Sequence, residues 1–100
     1  MYFGGNELLI EDSNFTSNSV SSSAGYGGAL MSFGNKVEIQ NTKFENNNAN
    51  NGGAIFNGQG TIFNINNSTF RNNSGTAIYN YVNNTTINNS KFLNNSGVMA

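Results

Sequence analysis

Five constrained positions recur in phase four times along this chain, and that repetition limits its possible folds more than any other feature. The segments at 10–18 (IEDSNFTSN), 39–47 (IQNTKFENN), 65–73 (INNSTFRNN) and 87–95 (INNSKFLNN) share one pattern. Each reads Ile, any residue, Asn or Asp, Ser or Thr, any residue, Phe, any two residues, Asn. A second element lies between them: GGAL at 27–30, GGAI at 52–55, GTAI at 75–78 and a partial GVMA at 97–100. Phe15, Phe44, Phe70 and Phe92 are 29, 26 and 22 residues apart, a period that belongs to solenoids, propellers and leucine-rich repeats. With 23 asparagines in 100 residues the chain could have been a disordered Asn-rich tract, but composition alone does not keep five positions in phase.

The leucine-rich signature is absent, and no segment shows apolar residues at helical spacing over three turns. Short alternating runs such as Val37-Glu38-Ile39 and Ile62-Phe63-Asn64-Ile65, bounded by Asn and Gly, read as short strands with tight turns. Three strands per repeat make one coil of a parallel β-helix. In the third coil the strands are expected around 54–56, 61–65 and 68–70. The fold class is thus all-β, a β-solenoid of about four coils, and residues 1–100 form a single repeat stretch.

Stacking coils about 4.8 Å apart puts equivalent positions above one another. Ile10, Ile39, Ile65 and Ile87 then form one interior ladder, and Phe15, Phe44, Phe70 and Phe92 a second. Asn18, Asn47, Asn73 and Asn95 form a third, in which each side-chain amide bonds the amide of the next coil. Glu7 falls in register with Lys36, and Glu45 with Arg71. The Gly-Gly pairs read as turn glycines that admit positive φ; neither is followed by Lys-Ser/Thr, so neither is a phosphate loop.

Composition narrows function by exclusion. Without Cys or His there is no disulfide framework, no thiolate or imidazole metal site and no Ser/His or Cys/His nucleophile. Four basic residues and a net charge of −1 leave no electrostatic footprint for nucleic acid. No apolar run reaches the roughly 20 residues of a membrane span, so this segment is expected not to insert into a membrane. Of the five acids, Glu11 and Asp12 are adjacent at a turn where the next coil has Gln40 and Asn41, which reads as a solvated turn and not as a catalytic pair. No cofactor is expected, and the chain is expected not to be an enzyme.

Gly27-Gly28-Ala29-Leu30 and Gly52-Gly53-Ala54-Ile55, taken with the four Phe-x-x-Asn segments, resemble the repeats of polymorphic outer-membrane proteins and of adhesin-like surface proteins. The resemblance covers nearly the whole chain and departs from the pattern at Gly75-Thr76-Ala77-Ile78. It implies a right-handed single-stranded parallel β-helix. It also implies a structural or adhesive passenger stretch at the cell surface or outside the cell, part of a longer exported chain. The alternative is a carbohydrate-binding remnant of a pectin-lyase-like, polysaccharide-processing β-helix.

Two surfaces are candidates for contact with a cell-surface glycan or protein. The distance from ladder Phe to Ala falls from 14 to 10 to 7 residues along the chain, whereas the next corner keeps 9 or 10. Insertions therefore collect at one corner, in the segment 16–26 with Tyr26 at its end, and solenoids often bind through such a corner. The other surface follows from strand alternation: if Leu30, Ile55 and Ile78 point inward, Met31, Phe56 and Tyr79 form an outward stripe. Exposed strand edges at both ends would allow end-to-end self-association.

Overall fold

The computed structural model describes residues 1–21, 23 and 25–99, and every element among them is a β-strand. In chain order these are β1 (Tyr2–Phe3), β2 (Glu7–Glu11), β3 (Asn14–Thr16), β4 (Leu30–Ser32), β5 (Lys36–Gln40) and β6 (Lys43–Glu45). They continue as β7 (Ile55–Asn57), β8 (Ile62–Asn66), β9 (Thr69–Arg71), β10 (Ile78–Asn80), β11 (Thr85–Asn88) and β12 (Lys91–Leu93). All pairing is parallel, in three sheets ordered β1-β4-β7-β10, β2-β5-β8-β11 and β3-β6-β9-β12.

The fold is therefore the expected parallel β-helix. The coil count is lower than expected, about three turns, because four rungs on each sheet enclose only three complete circuits. In the third rung each strand begins one residue later than expected. Ala54 and Thr61 belong to corners: Ala54 and Ile55 both donate to the Ala77 carbonyl, and Thr61 and Ile62 both donate to that of Asn35.

The repeat pattern maps onto backbone requirements position by position. Its third residue turns the chain from the second sheet to the third with positive φ in every rung: Asp12 52°, Asn41 52°, Asn67 50°, Asn89 51°. Its eighth residue does so again after the third sheet, at Ser17, Asn46, Asn72 and Asn94. Asn and Asp tolerate this left-handed conformation because their short polar side chains can bond locally.

The Ser or Thr at the fourth position serves the same turn. Ser13, Thr42, Ser68 and Ser90 each donate to the carbonyl two residues back, at 2.8, 2.8, 2.9 and 3.0 Å. The hydroxyls of Ser68 and Ser90 also accept from the backbone N–H of Thr42 and Ser68 one rung away.

Inside, the rings of Phe15, Phe44, Phe70 and Phe92 stack with centroids 4.9, 4.8 and 4.8 Å apart and planes within 7°. The spacing is that of the strands themselves. Ile39 and Ile65 are fully buried and Ile10 nearly so, whereas Phe15, Ile87 and Phe92, in the end rungs, are half-buried.

Asn18, Asn47, Asn73 and Asn95 form the third ladder. Each of the first three donates through Nδ2 to the Oδ1 of the next, at 3.0, 3.0 and 2.9 Å. The same oxygens accept the backbone N–H of the preceding ladder member. The second Nδ2 proton goes to the carbonyl of a ladder Phe, from Asn47 to Phe15, from Asn73 to Phe44 and from Asn95 to Phe70. Asn47 and Asn73 thus use all four bonding capacities of the amide.

The register puts Glu7 beside Lys36 and Glu45 beside Arg71. Among the described residues the one ion pair nevertheless lies within a strand, Lys36 Nζ to Glu38 Oε1 at 3.2 Å. The glycine pairs also divide. Gly27, Gly52 and Gly75 have positive φ, as a turn glycine should, but Gly28 and Gly53 do not. They are glycine for another reason: a Cβ on Gly28 would collide with the backbone of Asn48 and Gly53, and one on Gly53 with that of Ser74.

Candidate functional site: an aromatic face on the first sheet

The strands β4, β7 and β10 are three residues long, so each offers one outward side chain. Leu30, Ile55 and Ile78 are fully buried in the core, and the register aligns Tyr2, Met31, Phe56 and Tyr79 on the outside. The outer faces of the other two sheets carry mostly polar residues such as Lys36, Glu38, Gln40, Lys43, Glu45 and Arg71. Among the described residues, the first sheet alone presents aromatic rings on its outer face.

Phe56 is the centre of this face. Its ring lies 4.6 Å from that of Tyr26, 5.4 Å from Tyr79, 5.9 Å from Tyr81 and 6.0 Å from Phe33. Phe33 in turn lies 6.0 Å from Tyr2. These separations fall in the range of favourable aromatic pairs, each contributing about 0.5–1.5 kcal/mol beyond area burial. Gly58 makes the arrangement possible, since a Cβ there would occupy the space of the Phe33 and Phe56 rings.

One expected contact is corrected. Phe56 points outward but is only 6% exposed, because its aromatic neighbours cover it; it organises the face and is closed to a ligand. Met31 and Tyr79 are half-buried, Tyr26 is 39% exposed and Tyr81 62%. The accessible rim therefore consists of phenols. Tyr2, Phe33 and Tyr81 were not among the expected contacts, although Phe33 and Tyr81 follow Met31 and Tyr79 by two residues and so keep the same outward parity.

The Tyr79 and Tyr81 hydroxyls lie 3.2 Å apart, either able to donate. That hydrogen bond, followed by the charge interaction with Tyr79, raises the Tyr81 phenol above its ordinary value of 10.0.

Two concavities flank the face. One, of about 560 Å³, lies against the 16–26 segment and is lined in part by Tyr2, Asn18, Tyr26 and Met31. Within that segment Ser22 and Ala24 lie outside the described residues; the rest is tied to the next rung through Ser17 to Glu45, Val20 to Asn48 and the Asn50 amide to the Ser23 carbonyl. The other, of about 490 Å³, sits at the corner between the first and second sheets and shares Phe33 with the face.

Elsewhere the acidic pair lies in a polar hollow with Gln40, Asn41, Asn66 and Asn67. Asp12 Oδ1 accepts from Asn41 Nδ2 at 3.0 Å, so this carboxylate takes a place in a side-chain stack across the turn. Among the described residues no three Asp or Glu side chains converge, and no helix is long and apolar enough to cross a membrane. Compared with known proteins, the chain matches no family model, no curated protein and no solved structure.

Proposed function

We propose that this chain is a non-catalytic structural and adhesive segment of a cell-surface, adhesin-like protein, with the aromatic face of the first sheet as its contact surface. The observation that carries this reading is the phenol rim around Phe56, on a solenoid whose other faces are mainly polar. Tyrosine gives large, rigid contact area with a polar tip, which suits a surface that must stay wet until it binds. The resemblance of the Gly-Gly-Ala and Phe-x-x-Asn elements to surface-protein repeats supports the same reading.

Contact through phenols and amides needs no long-range attraction, so adherence should vary little with ionic strength. The test is adherence of beads carrying the chain to cells across a range of salt concentrations, beside incubation with polysaccharides and an assay for newly formed reducing or unsaturated ends. Salt-insensitive adherence without cleavage is the expected result. Cleavage, or adherence abolished by moderate salt, contradicts the reading.

Self-association end to end belongs to the same proposal. In the 100-residue chain taken by itself, β2 and β3 at one end and β11 and β12 at the other pair with a neighbouring strand on one side only, which leaves edge groups able to pair with a second copy or with flanking coils. Light scattering should show association that grows with concentration; a monomer at all concentrations contradicts it.

A further inference from the structure

The corner between the first and second sheets carries a groove whose chemistry is distinct from the phenol rim. Its lining comes from the first three rungs: Gly4, Gly5 and Asn6, then Phe33 and Asn35, then Gln59, Gly60 and Thr61. Glycines keep the corner open. Gly60 has φ 135°, and a Cβ on it would run into the backbone of Gly34 and Asn35.

Three properties of this lining define what fits it. It contains no ionisable side chain, so a carboxylate or sulfate would lose water with no counter-charge. It offers primary amides with bonding capacity left over. Thr61 Oγ1 donates to Asn35 Oδ1 at 3.0 Å, and among the described residues the Asn35 Nδ2 protons have no acceptor. Among the described residues the Gln59 amide makes one long contact, Nε2 to the Phe33 carbonyl at 3.5 Å, and that of Asn6 makes none. An amide, which both donates and accepts, matches adjacent hydroxyls, which do the same. The third property is the aromatic ring of Phe33, half-buried at the side of the groove, against which the apolar face of a sugar ring can stack.

We infer that this groove binds a neutral glycan, lying along the stack axis with ring faces against Phe33 and hydroxyls on Asn6, Asn35 and Gln59. Successive rungs are about 4.8 Å apart, so the three rungs give a track about 10 Å long, enough for about two linked pyranose rings. The volume of about 490 Å³ lies within the usual range for small-ligand sites. The inference deepens the adhesive reading by naming a ligand class for a groove that shares Phe33 with the adhesive face.

The test is NMR titration of the full chain with cellohexaose, mannohexaose and maltohexaose, with oligogalacturonate as the anionic comparator. The side-chain amide resonances of Asn6, Asn35 and Gln59 are expected to move with at least one neutral oligosaccharide and not with the anionic one. Gln59→Ala and Asn6→Ala replace exposed side chains and should each weaken that binding about tenfold, the equivalent of one lost hydrogen-bonding partner. The inference is overturned if no neutral oligosaccharide moves these resonances, if oligogalacturonate binds more tightly, or if both variants bind as the parent does. Adherence of the same variants to cells separates the two readings. Binding in the groove with no cell adherence removes the adhesive proposal alone, and adherence with a silent groove removes this one alone.

Discussion

Asn47 Nδ2 donates to Asn73 Oδ1 at 3.0 Å, with both residues 1% exposed. A buried polar group is tolerated when its partners are complete, and here each amide bonds the rungs on both sides. The interior asparagines therefore hold the rungs in register as well as filling the corner beside the stacked phenylalanines.

Removing one of them should cost more than removing a surface amide. Asn73→Ala strips partners from Asn47, Asn95 and the Phe44 carbonyl, and each buried group left unpaired costs about 1–3 kcal/mol. A loss of about 3 kcal/mol or more is expected in urea unfolding. Asn73→Asp should be worse as pH rises, because its ionised form cannot donate and burial opposes its charge. A midpoint equal to that of the parent would contradict the ladder.

The aromatic stack makes a parallel prediction. Phe70 lies between Phe44 and Phe92 and is fully buried, so Phe70→Ala should lose about 3–5 kcal/mol through the cavity it leaves. Phe92→Ala, half-buried at the last rung, should lose distinctly less. Equal losses at the two positions would mean that stacking depth does not govern stability.

Thr76 stands where two other rungs have Gly28 and Gly53. It is β-branched at φ 63°, and its buried Oγ1 has no partner among the described residues. Left-handed backbone costs an L-residue about 1–2 kcal/mol, and an unpaired buried hydroxyl about 1–3 kcal/mol. Glycine gives back about 1 kcal/mol in chain entropy. Thr76→Gly should therefore stabilise by about 1 kcal/mol or more, whereas Gly53→Ala, whose methyl meets the Ser74 backbone, should destabilise. Calorimetric melting of both variants checks the pair of signs.

The Tyr79–Tyr81 contact is readable through ionisation. The neutral phenol of Tyr81 is favoured in the fold, so this contribution to stability is present below the ordinary value of 10.0 and fades as pH rises through the raised one. Absorbance titration should show a late phenol, and Tyr79→Phe should bring it back toward the ordinary range. A titration unchanged by Tyr79→Phe would show that Tyr79 is not the cause.

The ladders were legible because each needs the same residue at the same place in every rung. The hydroxyl of Ser13, Thr42, Ser68 and Ser90 was visible as a pattern, but its bond to the carbonyl two residues back depends on the left-handed residue before it. The aromatic face was legible only in part. Met31, Phe56 and Tyr79 follow from alternation within strands; Phe33 and Tyr81 keep that parity one residue past the strand ends, where no strand was expected to carry it, and Tyr26 approaches from a segment of variable length. The closure of Phe56 is a packing result: it requires Gly58 to leave room and several rings from different rungs to meet above it.

The most direct measurement of the account is adherence of chain-coated beads to cells, comparing the parent with the double variant Tyr26→Ser, Tyr81→Ser and with a control double variant on the third sheet, Lys43→Ala, Thr69→Ala. All four positions are at the surface or partly so, so circular dichroism should report the same fold throughout. Loss of most adherence in the tyrosine variant, with the control unchanged, is the predicted result; full adherence of the tyrosine variant would contradict the aromatic face as the contact surface.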